Sequence, residues 1–599
     1  MPSRSPGTPV DSLRSALERV TVEGMKGLVR LFVDRPPGRK DELVDLVLAR
    51  LQGEGLRKAW DRLTTLEKSV VAEAAHSAEP WLPIDRIRAK YGSVPGSTVD
   101  SSCLRRDAVV FDLFFYQGIM PEDLKEGLRA FVPPPPKASL VSLDALPSHL
   151  ERRWTCAGAG GERQEVEVER FPLVVRLMER AAQLDLHAAL RLVDAGRVQV
   201  GAKRKPSSAS VAALRGLLSG GDFYPDDAEE GAVRACAWPM LLQEAGLARA
   251  AGGKLRLTAE GQEALRQEPS HVLKRIWEAW VEGELLDELS RIEAIKGQEG
   301  SGARGLSEPA DRRLALEEVL EECPVGRWVA VDEFLRYLVA SGRDFEVSDS
   351  PWNLYVGDRE YGSLTDGAWG VLEAPYARCF LMEYAATLGV VDVGFTSARK
   401  GWGKGDRRIG SEDMEFLSRY DGLTHVRLNP LGAFLLGVSG TYAPMVAAVR
   451  VKVLPTLEVV IASGELAAGD ELLLGRFARR TAERVWTIDR ERILETMEGG
   501  GSIEELDGFL RARGLEDVPA AFATMLHDLA GRAGSVLDRG VGRLIECGDA
   551  ALAALVASDS RTRRSCALVG ETRLFVPSAR ESAFRRGLRE LGYPLSLPR

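Results

Sequence analysis

His527 and Asp528 are neighbours and supply the residue types of an acid/base pair, although the polarity of a helix surface accounts for them more simply. The six histidines, at 76, 149, 187, 271, 425 and 527, form no HxH or HExxH pair, so no metal site is expected. Gly362-Ser-Leu-Thr-Asp-Gly367 approaches a phosphate loop but continues with Ala368 and lacks the lysine that neutralises phosphate. Gly499-Gly-Gly501 follows the helix-like Ile493–Met497 and reads more easily as a helix stop than as a nucleotide cradle. No GxSxG elbow occurs. Carboxylates are plentiful but do not cluster as a metal-dependent nuclease requires, and long-range assembly of such a site stays open. The expectation is a protein that is not an enzyme, with no cofactor, no metal and no small-molecule substrate.

Cations are the more distinctive chemistry. Ser397-Ala-Arg-Lys-Gly-Trp-Gly-Lys-Gly-Asp-Arg-Arg408 sets Arg399, Lys400, Lys404, Arg407 and Arg408 around Trp402 on a glycine-rich loop. Such a loop can reach phosphates while the tryptophan stacks on a base, or it can be a solvated loop whose tryptophan packs on its own domain. Lys203, Arg204 and Lys205 precede a helix start that Ser207, Ser208 or Ser210 can cap. Cations beside free helix amides suit phosphate, and a plain charged turn is the alternative. Arg476, Arg479, Arg480 and Arg484 share a helix face at spacings of three to four, tempered by Glu471 and Glu483, and fit solvated surface or a partner contact.

The totals restrict what these patches can do. A chain of 599 residues calls for several domains, and 45% apolar with 28% charged residues is ordinary for a globular protein. A net charge of -9 argues against indiscriminate coating of nucleic acid, so any DNA contact must be local. The same acidity suits a basic protein partner. Seven cysteines, at 103, 156, 236, 323, 379, 547 and 566, form no CxxC, which suggests reduced thiols and a cytoplasmic location. The N-terminus lacks a signal-peptide core, and the apolar run near 443–462 is cut by Arg450, Lys452 and Pro455. No membrane association is expected.

Periodicity and punctuation predict the elements that must carry these residues. Residues 1–10 are expected to be disordered, and 11–53 to form a helical hairpin. Helical spacing from Trp60 to Tyr91, with a capping box at Thr64–Glu67, places a helical module over 54–136, closed by four prolines at 133–136. In 137–297 the order is helix, short strand at 198–200, helix from Ser207, helix ending at Gly246, a two-stranded wing around Gly252-Gly253, and a further helix. In 306–440 it is helices at 313–323, 332–341 and 369–388, wing strands at 390–394 and 424–428 flanking the long basic loop, and a closing helix. The joints Leu257-Thr-Ala-Glu-Gly261 and Leu428-Asn-Pro-Leu-Gly432 match, which suggests an internal repeat. The fold class is therefore mainly α with small β-hairpins (α+β), as tandem winged-helix-like domains over 54–136, 137–297 and 306–440, followed by a mixed α/β domain over 441–599.

Two stretches resemble known families. Val20-Thr-Val-Glu-Gly-Met-Lys-Gly-Leu-Val-Arg-Leu-Phe32 with Gly38-Arg-Lys-Asp-Glu-Leu-Val-Asp-Leu-Val-Leu48 resembles the SAP-type helix–extended–helix module. That resemblance implies that Arg39 and Lys40 face DNA phosphates, and the alternative is a helical hairpin with a solvated basic corner. Val449–Ile461, Leu472–Arg480, Val485-Trp-Thr-Ile488, Ser502–Leu510, Val518-Pro519 and Met525–Leu529, in that order, resemble the domain at the N-terminus of XPB-type DNA helicases and in stand-alone bacterial helicase-associated proteins. No motor domain accompanies it. The resemblance implies DNA binding, or assistance to a separately encoded helicase or nuclease, in DNA repair or anti-phage defence. A scaffold whose winged helices bind only proteins, and a cryptic metal-dependent nuclease, are the alternatives.

Overall fold

The structure is a computed structural model. It describes residues 12–79, 81–95, 108–157, 163–201, 203–300, 303–357, 363–364, 369–401, 414–444, 449–514, 517–532, 535–536, 538 and 540–596. The segment 1–10, expected to be disordered, lies outside them. The chain forms two units, Met1–Arg450 with Ile461–Arg480, and Val451–Val460 with Thr481–Arg599. Helices dominate and the sheets are small and antiparallel, an α+β fold. Among the described residues no helix is long and apolar enough to cross a membrane.

The first 132 residues have a core of their own. Thr21 caps the helix Val22–Arg30, and Thr64 with Glu67 forms the expected capping box on Thr65–His76. Asp123 accepts the Leu13 N–H on both carboxylate oxygens, at 2.8 and 2.9 Å, and so ties the helix Leu13–Arg19 to Glu122–Arg129. The helix Ile84–Tyr91 packs on Val331–Ala340, where Arg336 donates to the Ala89 carbonyl at 2.7 Å.

A larger core from Met178 to Leu436 holds two copies of one element order. The first copy runs helix Glu179–Asp194, short strand 198–200, helix Ser208–Arg215, helix Arg234–Glu244, hairpin Ala248–Ala251 with Lys254–Leu257, and helix Ala259–Ala264. The second runs helix Pro309–Glu321, strand Trp328–Ala330, helix Val331–Ala340, helix Glu373–Cys379 continued by a π-turn at Phe380–Ala385, strands Val391–Phe395 and Leu423–Leu428, and helix Pro430–Leu435. In both, the last strand sits between the other two. The third helices of the two copies, Arg234–Glu244 and the 373–385 segment, pack against each other.

The joints show why the two short sequences agree. Each third helix ends at a left-handed glycine, Gly246 (φ 68°) and Gly389 (φ 76°). The next residue opens the wing, and its carbonyl accepts the N–H of the following helix cap: Thr258 to Leu247 at 3.0 Å, Asn429 to Val390 at 3.4 Å. The cap oxygen then accepts the N–H of the glycine three residues on, Gly261 at 3.1 Å and Gly432 at 2.9 Å. A Cβ at either glycine would lie 2.0 Å from that same Leu247 or Val390 carbonyl oxygen. Gly261→Ala and Gly432→Ala are each expected to lower stability by roughly 3 kcal/mol through overpacking. Urea unfolding of the two variants checks this, and a loss under about 0.5 kcal/mol would show that the joint yields.

Some elements depart from the sequence reading. The strands His149–Ala157 and Arg163–Pro172 form a long hairpin with a bulge between Trp154 and Thr155, where no hairpin was expected. Glu165-Val-Glu-Val-Glu169 alternates apolar and charged residues at the period of a strand, while Glu151-Arg-Arg153 interrupts that pattern in the first strand. The third helix of the second copy is interrupted by its π-turn. In the second unit, residues 458–460 pair with 485–487, and Asp489 and Ser502 cap Arg490–Glu498 and Ile503–Arg513. A three-stranded sheet, Gly542–Glu546, Arg573–Pro577 and Ala567–Val569, follows, with Leu574 and Val576 packed on helices Ala550–Ser558 and Glu581–Glu590.

Candidate nucleic-acid interface

The expected basic patches meet different fates. Lys40 donates to the Glu18 carbonyl at 2.6 Å, and Arg39 lies 3.9 Å from Asp41 on an exposed corner. Arg399 is held between Glu229 and Glu415. Trp402, Lys404, Arg407 and Arg408 lie outside the described residues, as does the side chain of Lys400. Arg476 pairs with Asp194 at 2.9 Å, and Arg480 with Glu471 at 3.3 Å.

Lys203, Arg204 and Lys205 fare otherwise. They are exposed on a tight turn in which the Gly201 N–H donates to the Lys205 carbonyl at 2.9 Å. Lys203 reaches Glu299 at 2.7 Å, both ends open to water. Among the described residues, Arg204 and Lys205 have no carboxylate partner. The strand before this turn lies beside the wing: Gln199 is level with Lys254, the Leu255 N–H donates to Val198, and the Val200 N–H donates to Gly253. So the cationic turn and the wing tip at Gly252-Gly253 stand side by side.

That pairing assembles a face the sequence did not disclose. Antiparallel register sets Arg249 opposite Arg256, and the Gln199–Lys254 bridge sets Arg197 level with Arg256 on the far side. Side chains alternate across a strand, so Arg197, Gln199, Lys254, Arg256, Arg249 and Ala251 share one face, and all are exposed. Val198, Val200, Leu255 and Ala248 point the other way into the core. Three arginines thus form a single cross-strand row, and like charges directly opposite repel. Among the described residues none of Arg197, Arg249, Lys254 and Arg256 has a carboxylate partner. No Asp or Glu occurs between Ala195 and Ser210, or between Ala245 and Ala259. Those two acid-free stretches, each feeding a strand of one wing, were the available clue.

The second copy shows what balances such a row. Counting from the matched joints, Arg249 corresponds to Asp392, Arg256 to Arg427 and Arg197 to Trp328. Arg427 donates to Asp392 at 2.7 and 2.9 Å, and its guanidinium lies 4.8 Å from the centre of the Trp328 ring. That sheet is covered on both sides: Val391–Phe395 is wholly buried, with Leu146 against Gly394. The central arginine is present in both wings. Only in the first are its carboxylate and its tryptophan replaced by two more arginines.

The interior holds charges of another kind. Glu288 accepts from Arg313 at 2.8 Å, Trp280 at 3.1 Å and Tyr376 at 2.5 Å. Glu383 accepts from Arg291 at 2.7 and 3.0 Å and from Tyr420. Burial, and then Glu383, pushes the Cys379 thiol well above its usual range, and burial pushes Cys323 up to about 12. Both thiols stay protonated, which removes them as nucleophiles. The carboxylates are saturated with donors and sealed from water, so they hold helices together. No group of histidines, cysteines and carboxylates among the described residues is placed to hold a metal ion. Comparison with protein-family models and with curated protein sequences found no match.

Proposed function

We propose that this chain is a non-catalytic DNA-binding adaptor that assists a separately encoded helicase or nuclease in DNA repair or anti-phage defence. The observation that carries the reading is the exposed row Arg197, Arg256 and Arg249, flanked by Lys254, Arg204 and Lys205, on a wing with no acid of its own. Cations gathered without counter-charges recover their mutual repulsion by meeting an external polyanion. The doubled order of helix, strand, helix, helix and hairpin supports a tandem winged-helix body, in which wings commonly approach phosphate. The acidic total confines contact to this face and leaves the rest of the surface for a protein partner. The helicase or nuclease half of the reading rests on the resemblance of residues 449–529 to helicase-associated domains.

The test is fluorescence anisotropy with a labelled duplex over a salt series, beside incubation of plasmid with magnesium and manganese. If six cations each neutralise one phosphate, log K falls against log salt with a slope near -5, and affinity drops about 10³-fold between 50 and 200 mM salt. The plasmid stays intact. Absence of binding at 50 mM salt would favour the protein-only scaffold, and nicked plasmid would favour the nuclease.

A further inference from the structure

The wing has a partner element whose position limits what any bound DNA can tell the protein. In helix-turn-helix proteins sequence is read by the recognition helix lying in the major groove, while wings and turns touch the backbone. By element order that helix is here Arg234–Glu244. It is buried along its length: Arg234, Ala235, Ala237, Trp238, Pro239, Met240, Leu241 and Leu242 are all in the interior. Its N-terminus is closed by Asp222, which accepts the N–H groups of Val233 and Arg234 at 3.1 and 3.0 Å, and Arg234 itself is locked onto Asp185. The equivalent segment of the second copy, Glu373–Ala385, is buried except at Arg378 and packs on the first. The two helices that could read bases cover each other.

What remains outside is the wing. Its exposed face offers Arg197, Arg249, Arg256 and Lys254, with only Gln199 and Ala251 between them. No aromatic residue occurs from Ala195 to Ser210 or from Ala245 to Ala259, so this face has no aromatic platform for a base. Single-stranded binders depend on such platforms, whereas duplex DNA presents its charge on the outside at one per ~1.7 Å of axis. The row of three arginines, at strand spacings of about 4.8 Å, is roughly 10 Å across, and a duplex brings several phosphates within that span. The matched row of the second wing, with its arginine satisfied by Asp392 and Trp328, shows that the fold does not itself require this charge.

We infer that the first wing grips the phosphate backbone of double-stranded DNA without reading its sequence, and that Arg197, Arg249 and Arg256 are the phosphate-contacting row. This rests on the DNA-binding reading above and narrows it to the duplex backbone. The full chain is titrated by anisotropy with two 30-base-pair duplexes, one A·T-rich and one G·C-rich, and with a single strand of the same length. The same titrations are run on the triple variant Arg197→Ala, Arg249→Ala, Arg256→Ala. The two duplexes are expected to bind within about threefold of each other and at least tenfold more tightly than the single strand. The triple variant loses about 10²- to 10³-fold in duplex affinity at 0.1 M salt, its salt slope flattens by about 2.7, and it melts no lower than the parent. Discrimination of a hundredfold between the duplexes, tighter binding of the single strand, or a triple variant with unchanged duplex affinity would each overturn the inference while leaving DNA binding in place. A triple variant that melts lower would assign the arginines to packing and also overturn it. Failure of every nucleic acid to bind would overturn the DNA-binding reading itself.

Discussion

Arg313→Ala is expected to destabilise the first unit by about 3–5 kcal/mol. Arg313 and Glu288 are both fully buried, and the guanidinium also donates to the carbonyls of Trp280, Gly283 and Leu286. Burial alone would lower the Arg313 pKa, but Glu288 and the Tyr376 beside it outweigh that and hold it above its ordinary value. Truncation removes the cation and leaves the Glu288 carboxyl in the core with only Trp280 and Tyr376 as donors. It also removes the Arg313 donor from the carbonyls of Gly283 and Leu286, while the Trp280 carbonyl keeps the Gly283 N–H at 3.2 Å, and a buried carbonyl left unpaired costs about 1–3 kcal/mol. Urea unfolding followed by tryptophan fluorescence reads the loss, since Trp277 and Trp280 pack against each other in the same core. Joint replacement by Arg313→Met and Glu288→Leu removes both charges and is expected to recover part of the loss. A single variant within about 1 kcal/mol of the parent would mean that water reaches the pair.

Arg313 also shows where sequence stops being informative. Asp311-Arg-Arg313 in a helix reads as solvated surface, yet Arg312 and Arg313 are both in the interior. Only the return of Asp287 and Glu288, about a turn after the preceding helix, supplies their counter-charges. Local features were legible because they are set by local chemistry: the capping box at Thr64, the cap at Ser207 and the glycine stop at Gly246. The internal repeat was legible from five residues because the joint allows few alternatives. A cap oxygen must sit three residues before a glycine, whether Thr258 or Asn429 supplies it. The hairpin 149–172 was not expected, although Glu165-Val-Glu-Val-Glu169 alternates at the period of a strand; the charged run Glu151-Arg-Arg153 breaks the pattern in its partner strand. The candidate face was half legible. Lys203–Lys205 stood out as a run, but Arg197, Arg249, Lys254 and Arg256 are single cations in apolar or small-residue surroundings. They become a row only through a register that joins strands more than fifty residues apart.

Arg249→Asp is expected to disarm that row while strengthening the fold. The substitution installs in the first wing the residue type that the second carries at Asp392, directly across from an arginine. Arg256 would then bond the new carboxylate as Arg427 bonds Asp392, at distances of 2.7–2.9 Å in the existing example. Two phosphate contacts are lost at once, one by removal and one by neutralisation. At a cost of about 0.9 in salt slope per contact, the slope should flatten by about 1.8 and duplex affinity fall about 10²-fold at 0.1 M salt. In the opposite direction, replacing a like-charge pair by an opposite-charge pair across two strands is expected to add about 0.2–1 kcal/mol to stability. The two changes have opposite signs, so one variant separates a surface kept for binding from one kept for folding. Anisotropy over a salt series gives the first quantity and urea unfolding the second. An Arg249→Asp protein that bound duplex as the parent does would place the contact elsewhere. One that lost stability would mean that the arginine row supports the wing, and that a negative charge cannot be accommodated on this sheet as it is beside Arg427.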